Sequence, residues 1–511
     1  MASAINNITW VPDLLFVNGR FEPGMALACD SAGRIISTFD ISPLRELLGR
    51  EPRGDETLNV REPESRVAFK TRFVRLHGRA LLPGMVNAHS HAFQRVIRGR
   101  TEYRAEAGQD SFWTWREMMY SAAERLTPED IYDASRMAFT EMLLGGITAV
   151  GEFHYLHRTP EGAEYSEPNL LAKQVVRAAR DAGLRIALLR VAYARSGFNL
   201  PPNERQRRFI ETDAETYLRH AETLRSELAK EASEVNASEA LGDLRGAWVG
   251  VAPHSVRAVP LEYLRAVRDF ARERELPLHM HVAEQPAEVS ACLAETGRTP
   301  VALLADCGLL DSRFTAVHAI HISAAEIGSL RDAGAIVCAC PTTERNLGDG
   351  IVPADALFRE GVRVALGTDS HAQIDLPEEA RALEYHLRLQ RLERNVLAPR
   401  AAASDERGHR MSALAARLFE CATTHGARSI GAACGELEAG RPADFFTVAL
   451  DDPSVAGASA EDLLPAIIFS LTRSGVREVA VGGRLVVEDG RHRAQGETVE
   501  RFAALQRKLW G

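Results

Sequence analysis

Between Met85 and Asp369 the chain repeats one rhythm: a short apolar run, a polar tip, then a stretch with helical, amphipathic spacing. The apolar runs fall at 85–91, 148–154, 186–192, 248–254, 278–284, 315–318, 335–340 and 362–369. Strands that are apolar on both faces and alternate with helices belong to a parallel sheet covered on each side. Eight such units predict an α/β fold whose strands close into a (β/α)8 TIM-like barrel. A barrel of this kind carries its active site at the C-terminal ends of its strands.

The flanks follow another pattern. Asn18-Gly19 and Gly482-Gly483 each interrupt a β-like run, as two-residue hairpin turns do. The expectation is a small β-sandwich domain built from both chain termini, residues 1–82 and 436–495. The metal-dependent barrel then occupies 83–435, and a C-terminal helix covers 496–511. Two charged, aromatic-poor segments, 49–65 and 203–245, read as surface insertions, with 212–233 helical inside the second.

Composition adds exclusions. With 511 residues the chain exceeds one ordinary domain, and 45% hydrophobic with 26% charged residues is typical of soluble globular proteins. A net charge of −9 argues against nucleic acid as a partner, although a local arginine cluster can still receive an anion. No apolar run reaches membrane-span length, and residues 1–10 lack a signal-peptide pattern, so no membrane and a cytoplasmic location are expected. The seven cysteines are scattered and odd in number, as for buried, reduced core thiols.

The chemistry concentrates at the predicted strand ends. Strand one closes on His89-Ser90-His91, and alternate residues of a strand face the same way, so both imidazoles can reach one point. Strand five ends His279-Met280-His281-Val282-Ala283-Glu284, strand six Val317-His318, and strand eight Gly367-Thr368-Asp369. Three histidines and an aspartate suit one divalent metal ion, zinc by ligand type, with a position left for water. A two-metal site needs a bridging anion, commonly a modified lysine on strand four. That strand ends Ala252-Pro253-His254-Ser255 and has no lysine, so one ion is expected.

These motifs resemble the amidohydrolase superfamily, and within it the deaminase branch; the segment 435–444 resembles that superfamily's return from barrel to sandwich. More specific blocks follow: His89 to Arg95, Asp110 to Glu117, Glu152 to Tyr155, Ala252 to Arg257 and His281 to Gln285. Together they resemble the branch members that deiminate a linear dicarboxylate amidine in histidine degradation. The resemblance implies His89, His91, His281 and Asp369 as metal ligands. It implies Glu284, His318 and Asp369 as the catalytic, proton-handling residues, and Gln94, Arg116, Tyr155, His254 and Arg257 as the substrate pocket. Arg116 and Arg257 suit the two carboxylates, because guanidinium groups bind carboxylates bidentately. His279 lies outside the matched pattern and is expected to be structural. A homodimer is implied by the same resemblance. The alternatives are a deaminase of guanine or a related heterocycle, a hydrolase releasing formamide instead of ammonia, and a non-catalytic relative.

Overall fold

A computed structural model describes residues 7–48, 57–61, 68–104, 112–238, 246–400 and 407–511. Its centre is an eight-stranded parallel sheet. The strands are β1 (Met85–Ser90), β2 (Ile147–His154), β3 (Arg185–Ala192), β4 (Ala247–Pro253), β5 (Leu278–Val282), β6 (Phe314–His318), β7 (Ile336–Ala339) and β8 (Arg363–Leu366). They pair in chain order from β1 to β8. Every residue of β1, β2 and β3 is buried, which is why these runs carry no alternation of polar and apolar positions.

The last strand meets the first just beyond its end. Ser90 and Asp369 form a parallel bridge. The His91 N–H donates to Asp369 O at 3.0 Å, and the Thr368 and Asp369 N–H groups both donate to His89 O at 3.0 Å. All eight sequence-predicted strands are present, and the barrel is nearly closed.

The helices between strands show why the intervening sequence is amphipathic. In Leu170–Ala182, Leu171, Val175, Val176 and Ala179 are buried, one stripe at helical spacing. Pro128–Leu144 starts with a capping box, Thr127 and Asp130 each bonding the other's backbone.

A second sheet of ten strands is mostly antiparallel and draws on both ends of the described chain, Asn7–Val17 through Ala68–Pro83 and Phe445–Ala449 through Arg491–His492. Asn18-Gly19 forms the predicted tight turn, with φ of 51° and 80°. Positive φ at both central residues belongs to a type I′ turn, where Asn-Gly is strongly favoured. The sheet folds over a core in which Trp10 and Phe445 pack edge to face with centroids 5.1 Å apart. It is tied to the barrel by a buried ion pair. Arg185, at the start of β3, donates Nε to Asp444 Oδ2 at 2.6 Å, and Asp444 Oδ1 also accepts the Gly482 N–H at 2.6 Å. The last helix, Gln495–Trp510, lies on the barrel helix Pro128–Leu144 and pairs Glu497 with Arg136.

The expected surface insertions need correction. Within 49–65, Thr57–Arg61 is a strand of the second sheet, paired with 68–72; the flanking residues lie outside those described. Within 203–245, residues 239–245 lie outside the description, and the helix runs Ala214–Ser238. Gln206, Arg208, Phe209, Glu211, Tyr217 and His220 of this segment are buried. Charge suggested solvent, but each buried charge has a partner. Arg190 of β3 pairs bidentately with Glu211, Nη2 to Oε1 at 2.9 Å and Nη1 to Oε2 at 2.5 Å. His220 Nδ1 stands 2.7 Å from the same carboxylate. Arg208 donates to the carbonyls of Ala123 and Leu126. Pairing and hydrogen bonding remove most of the cost of burying charge.

Candidate active site

Four side chains converge at the open end of the barrel. His89 comes from β1 and His91 directly follows it, His281 comes from β5, and Asp369 from the turn after β8. His89 Nε2 lies 3.2 Å from both His91 Nε2 and His281 Nε2. Asp369 Oδ1 lies 3.2 Å from His91 Nε2 and 3.4 Å from His89 Nε2. The four candidate ligand atoms are all within 4.8 Å of one another, and all four residues are buried.

The opposite ring nitrogens explain the orientation. His91 Nδ1 faces Phe153 O at 2.9 Å, and His281 Nδ1 faces His254 O at 3.2 Å. A carbonyl only accepts, so each Nδ1 carries the proton and each Nε2 presents a lone pair inward. This is the arrangement of metal-ligating histidines. Burial pushes His89 down to about 3 and holds His281 well below the ordinary imidazole value. Burial alone would raise Asp369, but the His89 and His91 rings beside it hold its carboxyl well below the usual range. Several neutral rings with facing lone pairs, beside a carboxylate, form a donor set that fits one divalent ion.

Beside this cluster His318 Nε2 lies 3.7 Å from Glu284 Oε1 and 3.9 Å from Asp369 Oδ2. Burial would lower His318, yet Glu284, Glu344 and Asp369 together raise it well above its ordinary value. Burial raises Glu284 despite His318 nearby. The backbone here is unusual. Ala283, His318, Ala319, Asp369 and His371 all have φ between 42° and 70°, although none is glycine. Such residues cost on the order of 1 kcal/mol each and collect at functional sites.

One pocket joins this cluster to the expected substrate residues, and every expected site residue lines it except His89, which lies beneath. Gln94 stands on the short 3-10 turn Ala92–Ile97 after β1 and donates to the Tyr155 hydroxyl at 2.7 Å. His254 follows β4; burial, then Arg257, keeps it well below its ordinary value, so the ring is neutral. Arg257 donates to Ser196 O at 3.1 Å. Arg116 sits on α1 (Phe112–Arg125), with its guanidinium 4.3 Å from the Trp113 ring centroid. Of the block 110–117, Asp110 and Ser111 lie outside the described residues. His279 points deeper, its Nε2 2.8 Å from Ser429 O, as a structural histidine does.

Three residues of or beside the site carry no sequence signal. Phe209 belongs to the segment taken for an insertion, and Tyr193 directly follows β3. Glu344 follows β7 and touches His318. The strand-end motifs do not reach them, since each lies on a loop or helix start beyond its strand. The seven cysteines are free, six of them buried and Cys307 partly so.

A parallel barrel with a His-x-His strand end, a third histidine and an aspartate at the last strand defines a class of metal-dependent hydrolases. The amidohydrolase family profile matches residues 80–486, and the chain belongs to that family. It is 38% identical over 433 residues to the formimidoylglutamate deiminase of Pseudomonas aeruginosa, spanning 84% of this chain and 90% of that one. A 5-methylthioadenosine/S-adenosylhomocysteine deaminase of Halobacterium salinarum is 29% identical over 463 residues, 90% of each chain. Among solved structures, an amidohydrolase from Brucella melitensis superposes with a TM-score of 0.81 at 33% identity. That alignment covers 99% of this chain and 100% of the other.

Proposed function

We propose that this chain hydrolyses N-formimidoyl-L-glutamate to N-formyl-L-glutamate and ammonia. The observation that carries the reading is a pair of arginines. Arg116 and Arg257 both line the metal-cluster pocket, and among the described residues neither forms an ion pair with a carboxylate. The Nε of Arg116 is buried without a partner. Most arginines elsewhere in this chain sit in ion pairs, so two unpaired guanidiniums in one pocket suit a ligand that brings two carboxylates. The similarity to the Pseudomonas aeruginosa enzyme supports the same substrate.

In this reading His89, His91, His281 and Asp369 hold a single zinc ion. When bound, such an ion lowers the pKa of water towards neutrality and so supplies hydroxide. The chain's own groups do the rest. Arg116 and Arg257 fix the glutamyl carboxylates, while Gln94, Tyr155 and His254 position the amidine. Asp369 takes the proton of the attacking water. His318 stabilises charge as the amidine carbon becomes tetrahedral. Glu284, whose carboxyl burial raises above its ordinary value, delivers a proton to the departing nitrogen. Water adds to the carbon, the C–N bond to the terminal nitrogen breaks, ammonia leaves and a formamide remains.

The aromatic deaminase alternative calls for a pocket that grips a flat heterocycle, and two unpaired guanidiniums do not favour one. A homodimer and a cytoplasmic location belong to the same proposal; no described helix is long and apolar enough to cross a membrane. The deciding assay is ammonia release from N-formimidoyl-L-glutamate. Zinc-loaded protein should release it, and chelator-treated protein should not until zinc is restored. Zinc-loaded protein that leaves this substrate intact would refute the reading.

A further inference from the structure

Glu344 lies one turn into the helix α2 (Pro341–Leu347), which starts directly after β7. Its side chain is 2% exposed, and it is not one of the four residues of the metal-ligand cluster. Oε1 accepts the Cys340 N–H at 2.8 Å and stands 3.3 Å from His318 Nδ1. One oxygen thus serves both groups. The backbone N–H fixes where that oxygen points, and its remaining lone pair faces the ring, so His318 Nδ1–H is the donor. The opposite nitrogen, Nε2, is then the one turned towards Glu284 and Asp369. The ring also sits on strained backbone, with φ of 70° at His318 and 50° at Ala319, so the strand alone does not hold it.

We infer that Glu344 is a positioning residue for the hydrolytic step, holding the His318 ring by its Nδ1 proton so that Nε2 meets the reacting centre in one orientation. This rests on the role proposed above for His318. Glu344 touches no substrate; it acts through the imidazole. A carboxylate or carbonyl on the far nitrogen of a functional histidine commonly selects tautomer and ring orientation.

The test uses two substitutions in the full, zinc-loaded chain. In Glu344→Gln the amide oxygen replaces Oε1, and the Cys340 N–H keeps it facing the ring, so kcat should stay within about fivefold of the parent. In Glu344→Leu no acceptor remains, and kcat should fall by about a hundredfold or more while KM moves less than about threefold. Both variants should bind one zinc ion per chain. An activity-independent readout is the proton on His318 Nδ1, seen in spectra of 15N-histidine-labelled protein and assigned by its loss in His318→Asn. It should be present in the parent and Glu344→Gln, and absent in Glu344→Leu.

Unchanged kcat in Glu344→Leu would overturn the inference, as would equal damage from the two substitutions. A second zinc ion per chain that Glu344→Leu removes would make Glu344 a ligand and overturn it too. If Glu344→Leu does not fold, the His318 signal in the parent and Glu344→Gln decides: an Nδ1 without a proton refutes it. Because that signal needs no substrate, a parent that fails to release ammonia would sink the proposed reaction without deciding the role of Glu344.

Discussion

The two pocket arginines make different use of the same chemistry. Arg257 is anchored by the Ser196 carbonyl, whereas Arg116 rests on the faces of Trp113 and Tyr120. A guanidinium held over an aromatic face keeps its planar fork free for a carboxylate. Removing one partner of a desolvated charge pair costs about 2–5 kcal/mol of binding. Arg257→Ala should therefore raise KM about 30-fold or more, with zinc content unchanged. Steady-state kinetics beside metal analysis checks this, and an unaltered KM would remove Arg257 from the carboxylate site. At this scale the metal cluster was readable because alternation along one strand already places His89 and His91 on one side. Phe209 and Glu344 were not readable. Their places depend on a buried loop and on a helix start, and neither leaves a spacing pattern.

Among the elements, the segment 203–211 is the one whose character changed most between sequence and structure. Its charges suggested a solvated decoration, yet it braces the helix that carries Arg116. Gln206 Nε2 donates to the hydroxyls of Tyr120 on α1, at 2.8 Å, and of Tyr193 beyond β3, at 2.9 Å. Arg208 bonds carbonyls at the end of α1, and Arg205 pairs with Glu117 and Glu124. Gln206→Leu leaves two phenols without their donor, which costs about 1–3 kcal/mol. The expected result is a KM raised about tenfold with little change in kcat, because α1 loosens while the metal cluster does not. A KM equal to the parent's would show that α1 needs no brace.

The same segment is anchored by Glu211. Burial would raise its carboxyl, but Arg190 and His220 hold it far below the ordinary 4.5. With the folded value depressed, the pair stabilises the fold fully above pH 4.5, and that stability drains away as pH falls below it. Glu211→Gln leaves Arg190 buried and unpaired, so it should lower stability by about 3–5 kcal/mol at pH 7. The deficit should narrow as pH drops below about 4.5, since the unfolded parent then takes up a proton that its folded form does not, and the advantage of the charged pair shrinks. Urea unfolding of parent and variant at pH 7 and pH 4 measures both points; a deficit that widens in acid would contradict this sign. Pairing of this kind is invisible in composition, which counts charges without their partners.

For the molecule as a whole, the barrel was the most legible feature. Eight buried or nearly buried strands leave eight apolar runs, and that count alone restricts the topology. The joining of the second sheet to the barrel was not legible in detail. One of its ties is a buried pair, Arg185 with Asp444, between residues remote in sequence. The metal cluster is shared in the same way, drawing on the first, fifth and last barrel strands. An ion bound only by the folded form stabilises it by mass action, about 4 kcal/mol at a thousandfold excess over Kd. Removing zinc with a chelator should lower the thermal midpoint by several degrees and restoring it should reverse the shift, read by calorimetry. A midpoint indifferent to zinc would mean that the ion is not held by these strands.

The seam between the first and last strands carries one more consequence, for the protein as it is made. The backbone bonds that join them run directly between His89, His91 and Asp369. A nascent chain exposes the two imidazoles at the end of β1 early, yet their carboxylate partner emerges only after seven more strands. Until then the pair is an incomplete donor set of two imidazoles. The full donor set arises in the same event that shuts the barrel. Its completion therefore requires that synthesis has run past Asp369.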